Sequence, residues 1–198
     1  MNSSFIHEEI TLPNANLEYY PNFLDAELAD YYLKKLLNTL KWEQYSIKLF
    51  GKTIPQPRLT ALYALNSETY SYSGLKLKPT IFTNELEIIH AEIAKLTGNT
   101  FTHCLANLYR DGNDSMGWHA DDEKELGTNP IIASLSLGAI RNFQLKHKKN
   151  PTLKQTIQLA HGSLLIMKGQ TQEFWKHQLP KTKKNIEPRI NLTFRTIY

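Results

Sequence analysis

Three side chains, His119, Asp121 and His177, have the types and the spacing of ligands for one metal ion. In an extended segment, residues two apart project to the same side, so His119 and Asp121 can bind one ion together. His177 is the best candidate for a third ligand from a distant strand. Two imidazoles and one carboxylate on one side of an ion leave about three coordination positions open, and Fe(II) needs these positions to hold a bidentate cosubstrate together with O2.

The same residues also allow less specific interpretations. A His-x-Asp tripeptide can be a hydrogen-bonded pair on the surface, and the chain has 7 histidines, so any one of them is a weak indication. Zinc accepts two imidazoles and a carboxylate as well, so a zinc hydrolase would show the same spacing. The spacing alone leaves these alternatives open.

The segment Pro188–Tyr198 alternates apolar and polar side chains as a strand does. One face carries three apolar residues that we expect in the core: Ile190, Leu192 and Phe194. The other face carries four polar residues: Arg189, Asn191, Thr193 and Arg195. An arginine fork pairs bidentately with a carboxylate. The two arginines therefore favour the interpretation that this polar face lines a ligand cavity. An edge strand with its polar face in water would show the same alternation.

The two arginines of this strand are separated by roughly 20 Å along an extended chain. Either their side chains converge, therefore, or only one of them grips a bound carboxylate directly. Asn107 and Tyr109 share one face of an earlier strand and offer further hydrogen-bond donors to a dicarboxylate. That pair could equally be the polar end of an ordinary strand.

The first half of the chain contains two amphipathic helices. Asp25 is a good N-cap for a helix that runs to Leu40. Its predicted apolar stripe is Leu28, Tyr32, Leu36 and Leu40. A second helix follows Thr83 and can close at Gly98. Its predicted stripe is Leu86, Ile89, Ile93 and Leu96.

After Gly98 the chain changes to short strands separated by turn residues. Six strands are predicted: Phe101–Tyr109, Ile131–Leu137, Arg141–Lys146, Gln155–Ala160, Ser163–Lys168 and Arg189–Ile197. Helices first and many short strands later favour an α+β chain, in which an antiparallel sandwich or jelly roll is buttressed by N-terminal helices.

Composition narrows the class of protein. A chain of 198 residues can fill one core, so a single domain over residues 1–198 is the expectation. No stretch approaches the roughly 20 apolar residues that cross a bilayer, and the N-terminus lacks the features of a secretory signal. Cys104 is the one cysteine, which excludes an internal disulfide framework. We therefore expect an intracellular protein without a membrane partner, which would be cytoplasmic in a bacterium and could be nuclear in a eukaryote.

Basic residues outnumber acidic residues by 23 to 19, which gives a net charge of +4. The lysines gather in two late segments: Lys146, Lys148 and Lys149, and then Lys176, Lys181, Lys183 and Lys184. Two basic loops of this kind could bind a phosphate backbone, although solvated surface loops have the same composition.

Four segments together resemble one known family, the AlkB dioxygenases, and most closely its eukaryotic-type homologues that repair alkylated DNA. They are Asn107–Glu123, Pro130–Phe143, His161–Met167 and Pro188–Tyr198. The resemblance runs from about Phe50 to the C-terminus and leaves the first 45 or so residues without a role. It implies a double-stranded β-helix (jelly roll) over about residues 100–198. The N-terminal helices and a nucleotide-recognition hairpin would lie within about residues 20–99.

The resemblance also implies a set of cofactors. Fe(II) would be bound by His119, Asp121 and His177. The cosubstrate 2-oxoglutarate would be held by six residues: Asn107, Tyr109, Arg189, Asn191, Thr193 and Arg195. Arg189 would pair with the distal carboxylate, and Arg195 would lie nearer the metal. O2 and 2-oxoglutarate would then give succinate and CO2 while an N-methyl group is oxidised and lost as formaldehyde.

By the same resemblance, Tyr70, Tyr72 and Ser73 belong to the nucleotide-recognition hairpin, where Tyr72 would stack on a flipped base. Without the resemblance, the two tyrosines would be taken for strand residues on a polar sheet face. Asp122 and Glu123 would face the positive charge of a methylated base such as 1-methyladenine or 3-methylcytosine.

A loop near residue 50 resembles the wedge that fills the base stack in duplex-acting relatives. Phe50 would be the wedge and Arg58 would contact the nucleic-acid strand nearby. Phe50 could equally well be a residue that packs under the loop.

The function expected from these residues is oxidative demethylation of alkylated bases in single- or double-stranded DNA by a monomeric enzyme. Two alternatives keep the same chemistry and change the substrate: an RNA demethylase, or a 2-oxoglutarate oxygenase acting on something other than nucleic acid. A non-catalytic jelly-roll binding domain is a third.

Overall fold

The structure is a computed structural model that describes residues 6–49, 51–65, 70–72 and 75–198. Within these ranges, the backbone alone is described for residues 47–49, 52, 70–72 and 75–77. The helices are α1 (Ala26–Thr39), α2 (Asn84–Thr97) and α3 (Thr171–Phe174). The strands are β1 (Glu8–Leu12), β2 (Ala15–Tyr20), β3 (Ser46–Leu49), β4 (Lys52–Pro55), β5 (Leu59–Ala64), β6 (Tyr70–Tyr72), β7 (Leu75–Leu77), β8 (Thr80–Ile81), β9 (His103–Tyr109), β10 (Met116–His119), β11 (Ile132–Gly138), β12 (Arg141–His147), β13 (Lys154–Leu159), β14 (Ser163–Lys168), β15 (Trp175–Leu179) and β16 (Arg189–Arg195).

Two larger sheets form the core of the fold. The major sheet has 8 strands in the order β1-β2-β14-β11-β16-β9-β5-β8, and the minor sheet has 4 strands in the order β10-β15-β12-β13. Neighbouring strands are antiparallel except for β5 and β8. The arrangement is the jelly roll expected from the sequence, and each of the six predicted strands is present within a residue or two of its expected bounds.

The two long helices, α1 and α2, cover the outer face of the major sheet. Asp25 caps α1 by accepting a hydrogen bond from the backbone N–H of Leu28, and Thr83 caps α2 in the same way. The apolar face of β16 packs against both helices, together with Phe82 and Phe101, and forms the larger apolar cluster. With one face of β16 committed to this cluster, its polar face must point between the two sheets.

The predicted stripe of α1 was wrong at one position. Leu28 is 40% exposed, and Ala29 occupies the buried position one turn before Tyr32 and two turns before Leu36. The reason is angular: residues 29, 32 and 36 keep within one narrow helical face, whereas residue 28 lies toward its edge.

An N-terminal hairpin joins the major sheet without having been predicted. β1 pairs with β2 across a two-residue turn, because Leu12 lies opposite Ala15, and β2 pairs in turn with β14. Leu17 and Tyr19 face the second apolar cluster, between the sheets. In the described part of the chain, no helix is both long and apolar enough to cross a membrane.

One glycine fixes where β16 begins. Gly138 has φ +91°, and a Cβ at this position would lie 2.3 Å from the carbonyl oxygen of Pro188. Only glycine accepts both the backbone angle and the close approach. The contact places the end of β11 directly against the residue before Arg189.

Candidate metal and carboxylate site

Three residues from two neighbouring strands and one loop converge between the sheets. β10 and β15 pair so that His119 stands directly opposite His177. Their Nε2 atoms are 3.1 Å apart, and Nε2 of His177 is 3.9 Å from Oδ2 of Asp121. One ligand atom from each of the three residues lies within 4.8 Å of the others, as a shared metal ion requires. The structure therefore brings together the three residues that were predicted as ligands.

The protonation of His119 suits metal binding. Its Nδ1 lies 2.8 Å from the carbonyl oxygen of Gly117. A carbonyl oxygen can only accept, so Nδ1 carries the proton and Nε2 presents its lone pair toward His177 and Asp121. Burial lowers the pKa of His119 below its ordinary value. The neutral imidazole is the form that binds a metal.

His177 and Asp121 are kept in ligand form by their surroundings. Burial, helped by the neighbouring His119, lowers the pKa of His177 to about 3, so its ring is neutral. Burial by itself would raise the pKa of Asp121, but Arg195 and the two imidazoles hold it below its usual range. At neutral pH the set is thus two neutral imidazoles and one carboxylate.

Asp121 lies just beyond the end of β10 and is held by two contacts from elsewhere in the fold. Nη2 of Arg195 donates to its Oδ1 at 2.7 Å. Its backbone N–H donates to the side-chain oxygen of Gln172 in α3 at 3.0 Å. Sequence reasoning missed Gln172, and nothing in its local pattern would have identified it.

The cavity beside this cluster extends along the polar face of β16. It reaches from His119 to Arg189. Asn191 donates to Oγ of Ser134 at 2.8 Å and accepts from Thr193 at 3.0 Å, so these side chains are fixed along the wall.

The far end of the cavity holds a buried cation. The guanidinium of Arg189 lies 5.3 Å from the ring centroid of Tyr109, and its Nη2 donates to Oγ of Ser136 at 2.9 Å. Its Nε is buried and has no hydrogen-bond partner. Burial lowers the pKa of Arg189 to about 10, which leaves it charged at neutral pH. A buried cation with an unused donor calls for an anionic ligand.

A serine pair in β11 was also missed by sequence reasoning. Ser134 and Ser136 receive the side chains of Asn191 and Arg189, respectively. They alternate with fully buried apolar residues in β11, and that pattern was a usable signal for a polar wall.

Comparison with known proteins places the chain in a family. The model of the 2OG-Fe(II) oxygenase superfamily matches residues 16–195. The chain belongs to this superfamily. It is an AlkB-type homologue, as the resemblance in its motifs indicated.

Curated relatives include the alpha-ketoglutarate-dependent dioxygenase alkB homolog 3 of Homo sapiens, which is 43% identical over 188 residues. That alignment covers 90% of this chain and 65% of the relative, so the chain spans slightly less than two thirds of its length. The DNA oxidative demethylase ALKBH2 of Bos taurus is 44% identical over 158 residues, which are 76% of this chain and 57% of the relative. The solved structure of OsALKBH1 has a TM-score of 0.65 at 15% identity and covers 96% of this chain and all 100% of its own, which supports the fold.

Membership in the superfamily implies Fe(II), 2-oxoglutarate and O2 as cofactors, and the cavity fits them. The His119, Asp121 and His177 donor set suits Fe(II) with open positions. The unsatisfied Nε of Arg189 suits a carboxylate at the opposite end. Asn107, Asn191 and Thr193 line the wall between these two ends.

Two acidic residues that were predicted to contact the substrate, Asp122 and Glu123, differ in their surroundings. Glu123 has a buried Oε2 without a hydrogen-bond partner, and burial raises its pKa. Asp122 is exposed and accepts from Nζ of Lys148 at 2.9 Å. Its charge is therefore already paired, which leaves Glu123 as the acidic group with an unused acceptor.

Arg58 was expected to contact a nucleic-acid strand, yet the structure places it inside. It is 7% exposed, and its Nε donates to Oδ1 of Asn107 at 2.9 Å. This contact orients Asn107 in the cavity wall.

For the remaining predicted substrate residues, the structure describes either the backbone alone or nothing. β6 and β7 pair as an antiparallel hairpin that carries Tyr70 and Tyr72, whose side chains are not described. Ser73 and Phe50 lie outside the described residues.

Proposed function

We propose that the chain is an oxidative demethylase of alkylated nucleobases, of the 1-methyladenine and 3-methylcytosine type, in DNA. The observation that carries the proposal is a single cavity with a His-Asp-His set at one end and the buried, partly unpaired Arg189 at the other. Similarity to relatives named DNA oxidative demethylase ALKBH2 supports DNA as the substrate and demethylation as the reaction. An intracellular site of action, a monomer and one domain over residues 1–198 belong to the same proposal.

In this proposal, His119 and His177 bind Fe(II) through Nε2, and Asp121 binds it through a carboxylate oxygen. When bound, Fe(II), O2 and 2-oxoglutarate supply the oxidation of an N-methyl carbon, which leaves as formaldehyde while 2-oxoglutarate becomes succinate and CO2. Arg195 holds Asp121 in place through its hydrogen bond. The metal set is therefore oriented before substrate arrives.

The other residues of the cavity bind 2-oxoglutarate and shield the reacting carbon from water. Arg189 pairs with the distal carboxylate of 2-oxoglutarate, and Tyr109, Asn107, Asn191 and Thr193 orient the molecule. Apolar side chains complete the lining and exclude water around the reacting carbon: Met116, Phe143, Leu159, Met167 and Leu179.

At the substrate side, Glu123 meets the positive charge of the methylated base. Tyr70 and Tyr72 of β6, together with Ser73, are proposed contacts of the nucleotide, and Phe50 is a proposed contact of the base stack that the nucleotide leaves. Arg58 acts on the substrate indirectly in this arrangement, through Asn107.

Matched substrates test the proposal. Purified protein with Fe(II), 2-oxoglutarate and O2 is given single-stranded DNA, duplex DNA or RNA with one 1-methyladenine each, and a methylated peptide as the non-nucleic-acid control. We expect formaldehyde and succinate to form in equal amounts with at least one methylated DNA substrate and not with unmethylated DNA. Turnover with RNA alone or with the peptide alone would replace DNA as the substrate. Succinate formation that ignores every methyl group would refute demethylation.

Gln172 offers a second test, because its contact with Asp121 should affect how tightly the site binds Fe(II). Gln172→Leu removes the acceptor for the Asp121 backbone N–H while keeping the size of the side chain. We expect Fe(II) affinity to fall roughly 10- to 100-fold, the usual effect of losing a group that orients a ligand. Anaerobic titration with Fe(II) measures this. Gln172→Glu keeps an acceptor oxygen and should recover much of the affinity; equal losses in both variants would contradict the role.

A further inference from the structure

The outer face of the minor sheet carries a row of lysines. Lys146 of β12 stands directly opposite Lys154 of β13 on one side and Lys176 of β15 on the other. Directly opposed residues project to the same face of a sheet. Adjacent strands are roughly 4.8 Å apart, so the three side chains form a continuous row across three strands. We call these three residues the lysine row.

No acidic residue balances the lysine row within its sheet. The sequences of β10, β12, β13 and β15 contain neither Asp nor Glu. Among the described residues, none of the three lysines takes part in a salt bridge. On the side of the row toward Gln144, the flanking positions of the same face are uncharged: Gln144, Thr156 and Gln178. Like charges placed directly opposite each other destabilise a strand pair, so this face gains stability when an anion binds to it.

An indole lies at the end of the lysine row. Trp118 is on β10, the edge strand of the minor sheet, and is 37% exposed. Nζ of Lys146 lies 4.2 Å from its ring centroid. Of the other two tryptophans, Trp175 is buried and Trp42 is partly buried against the core. An aromatic face beside a cationic track is the combination that binds unpaired nucleic-acid strands, because bases stack on the ring and phosphates meet the charges.

The position of Trp118 connects this outer face to the cavity. Trp118 and Lys176 each precede a cavity residue by one position, since His119 and His177 point to the inner face. β10 has a strand neighbour on one side only. A chain that places one base in the cavity can therefore pass round the free edge of β10 and reach the outer face.

We propose that the outer face of the minor sheet binds the unpaired nucleic-acid strand next to the reacting nucleotide. Trp118 stacks on a neighbouring base, and the lysine row binds successive phosphates. Lys146 leaves the ring for a phosphate as the base takes its place. This inference rests on the proposed function, because it assumes a nucleic-acid substrate.

Salt dependence tests the lysine row. The probe is a short unmodified oligothymidylate, bound to the full chain without Fe(II) or 2-oxoglutarate. Each of Lys146→Ala, Lys154→Ala and Lys176→Ala should reduce the slope of log affinity against log salt by about 0.7, the value for one phosphate contact on a single strand. Lys34→Ala on α1, an exposed lysine far from this sheet in the fold, has the same change in charge and should leave the slope unchanged. The proposal would be overturned if the three lysine-row variants had the same slope as Lys34→Ala.

A second comparison isolates stacking. An abasic strand of equal length keeps the phosphates and lacks the bases, so it should bind the native protein roughly 5- to 150-fold more weakly per stacked base at the same salt slope. Trp118→Ala should remove most of this difference, and Trp118→Phe should restore part of it. If the difference between the two strands persists in Trp118→Ala, Trp118 does not stack.

The binding assay measures affinity without turnover. Its result is therefore independent of the result of the demethylation assay. A protein that demethylates DNA yet shows unchanged slopes in the lysine variants would retain the proposed function and lose this surface. A protein that binds oligothymidylate through the row without demethylating would retain the surface and lose the activity. Duplex DNA of the same sequence should show no contribution from Trp118, because its bases are already stacked. A loss with duplex equal to that with the single strand would overturn the role of stacking.

Discussion

His177→Ala is expected to abolish 2-oxoglutarate turnover while the fold remains. The imidazole supplies the Nε2 that lies 3.1 Å from that of His119, and no other described side chain completes the cluster. Losing a group that only orients a ligand already costs about 10- to 100-fold, so losing a ligand itself should exceed 100-fold or so. Succinate formation under saturating 2-oxoglutarate measures the activity, and anaerobic Fe(II) titration measures the binding.

Stability and specificity need their own controls in this experiment. His177 is buried, and truncating a buried ring costs roughly 2–4 kcal/mol, which a domain of this size can bear. His177→Gln keeps more of the volume and should fold well with activity still lost. His7→Ala removes an imidazole outside the cavity and should change neither readout. Full turnover in either His177 variant would remove the metal assignment and, with it, the enzymatic interpretation.

The sequence predicted that His119, Asp121 and His177 lie together, and the structure supports only part of the reason for that prediction. The His-x-Asp spacing predicts that His119 and Asp121 lie on one face of an extended segment. In the structure, β10 ends at His119, and its pairing with β15 is irregular between Met116 and His119. Asp121 is placed by Arg195 and Gln172 instead. Alternation along a strand is a local rule, whereas these contacts join residues more than fifty positions apart and cannot be read from spacing.

The arginine question that the sequence left open has a structural answer. Arg189 and Arg195 line the same cavity, and each has a separate partner: Ser136 for Arg189 and Asp121 for Arg195. The strand period predicted that both arginines lie on one face of β16, and the packing of the opposite face against the helices turns them inward. Which arginine serves the metal end depended on where β10 lies, and this is tertiary information.

The N-terminal hairpin shows a local signal that was present and overlooked. Pro13 and Asn14 form the turn between β1 and β2, and Asn14 has φ 58°. A Pro-Asn pair between two short alternating segments is a recognisable turn signal. The charged β1 disguised it, since Glu8 and Glu9 do not suggest a strand. Such charges are common on an edge strand, which must resist pairing with other chains.

Arg189→Met is expected to raise the apparent KM for 2-oxoglutarate strongly and to leave the unliganded protein at least as stable as the native chain. In the native chain, the buried guanidinium has an unused Nε and no carboxylate partner among the described residues. Binding of 2-oxoglutarate would satisfy that cation. Removing one partner of a buried charged pair costs about 2–5 kcal/mol, which corresponds to a rise in KM of at least about 30-fold.

The two halves of this expectation distinguish a ligand contact from a structural one. A guanidinium that merely supported the fold would destabilise the protein when removed and would leave the KM of the folded fraction unchanged. We expect the opposite for Arg189, because replacing a buried cation that has no carboxylate partner with an apolar side chain of similar length removes a desolvation cost. Arg189→Lys keeps the charge and loses the planar fork, so its KM should lie between those of the native and methionine forms. Arg110→Met, which removes a guanidinium paired with Asp114, is the matched control and should leave the KM unchanged. Thermal unfolding with and without 2-oxoglutarate, read beside the KM, decides the matter: an unchanged KM in Arg189→Met would refute the carboxylate contact.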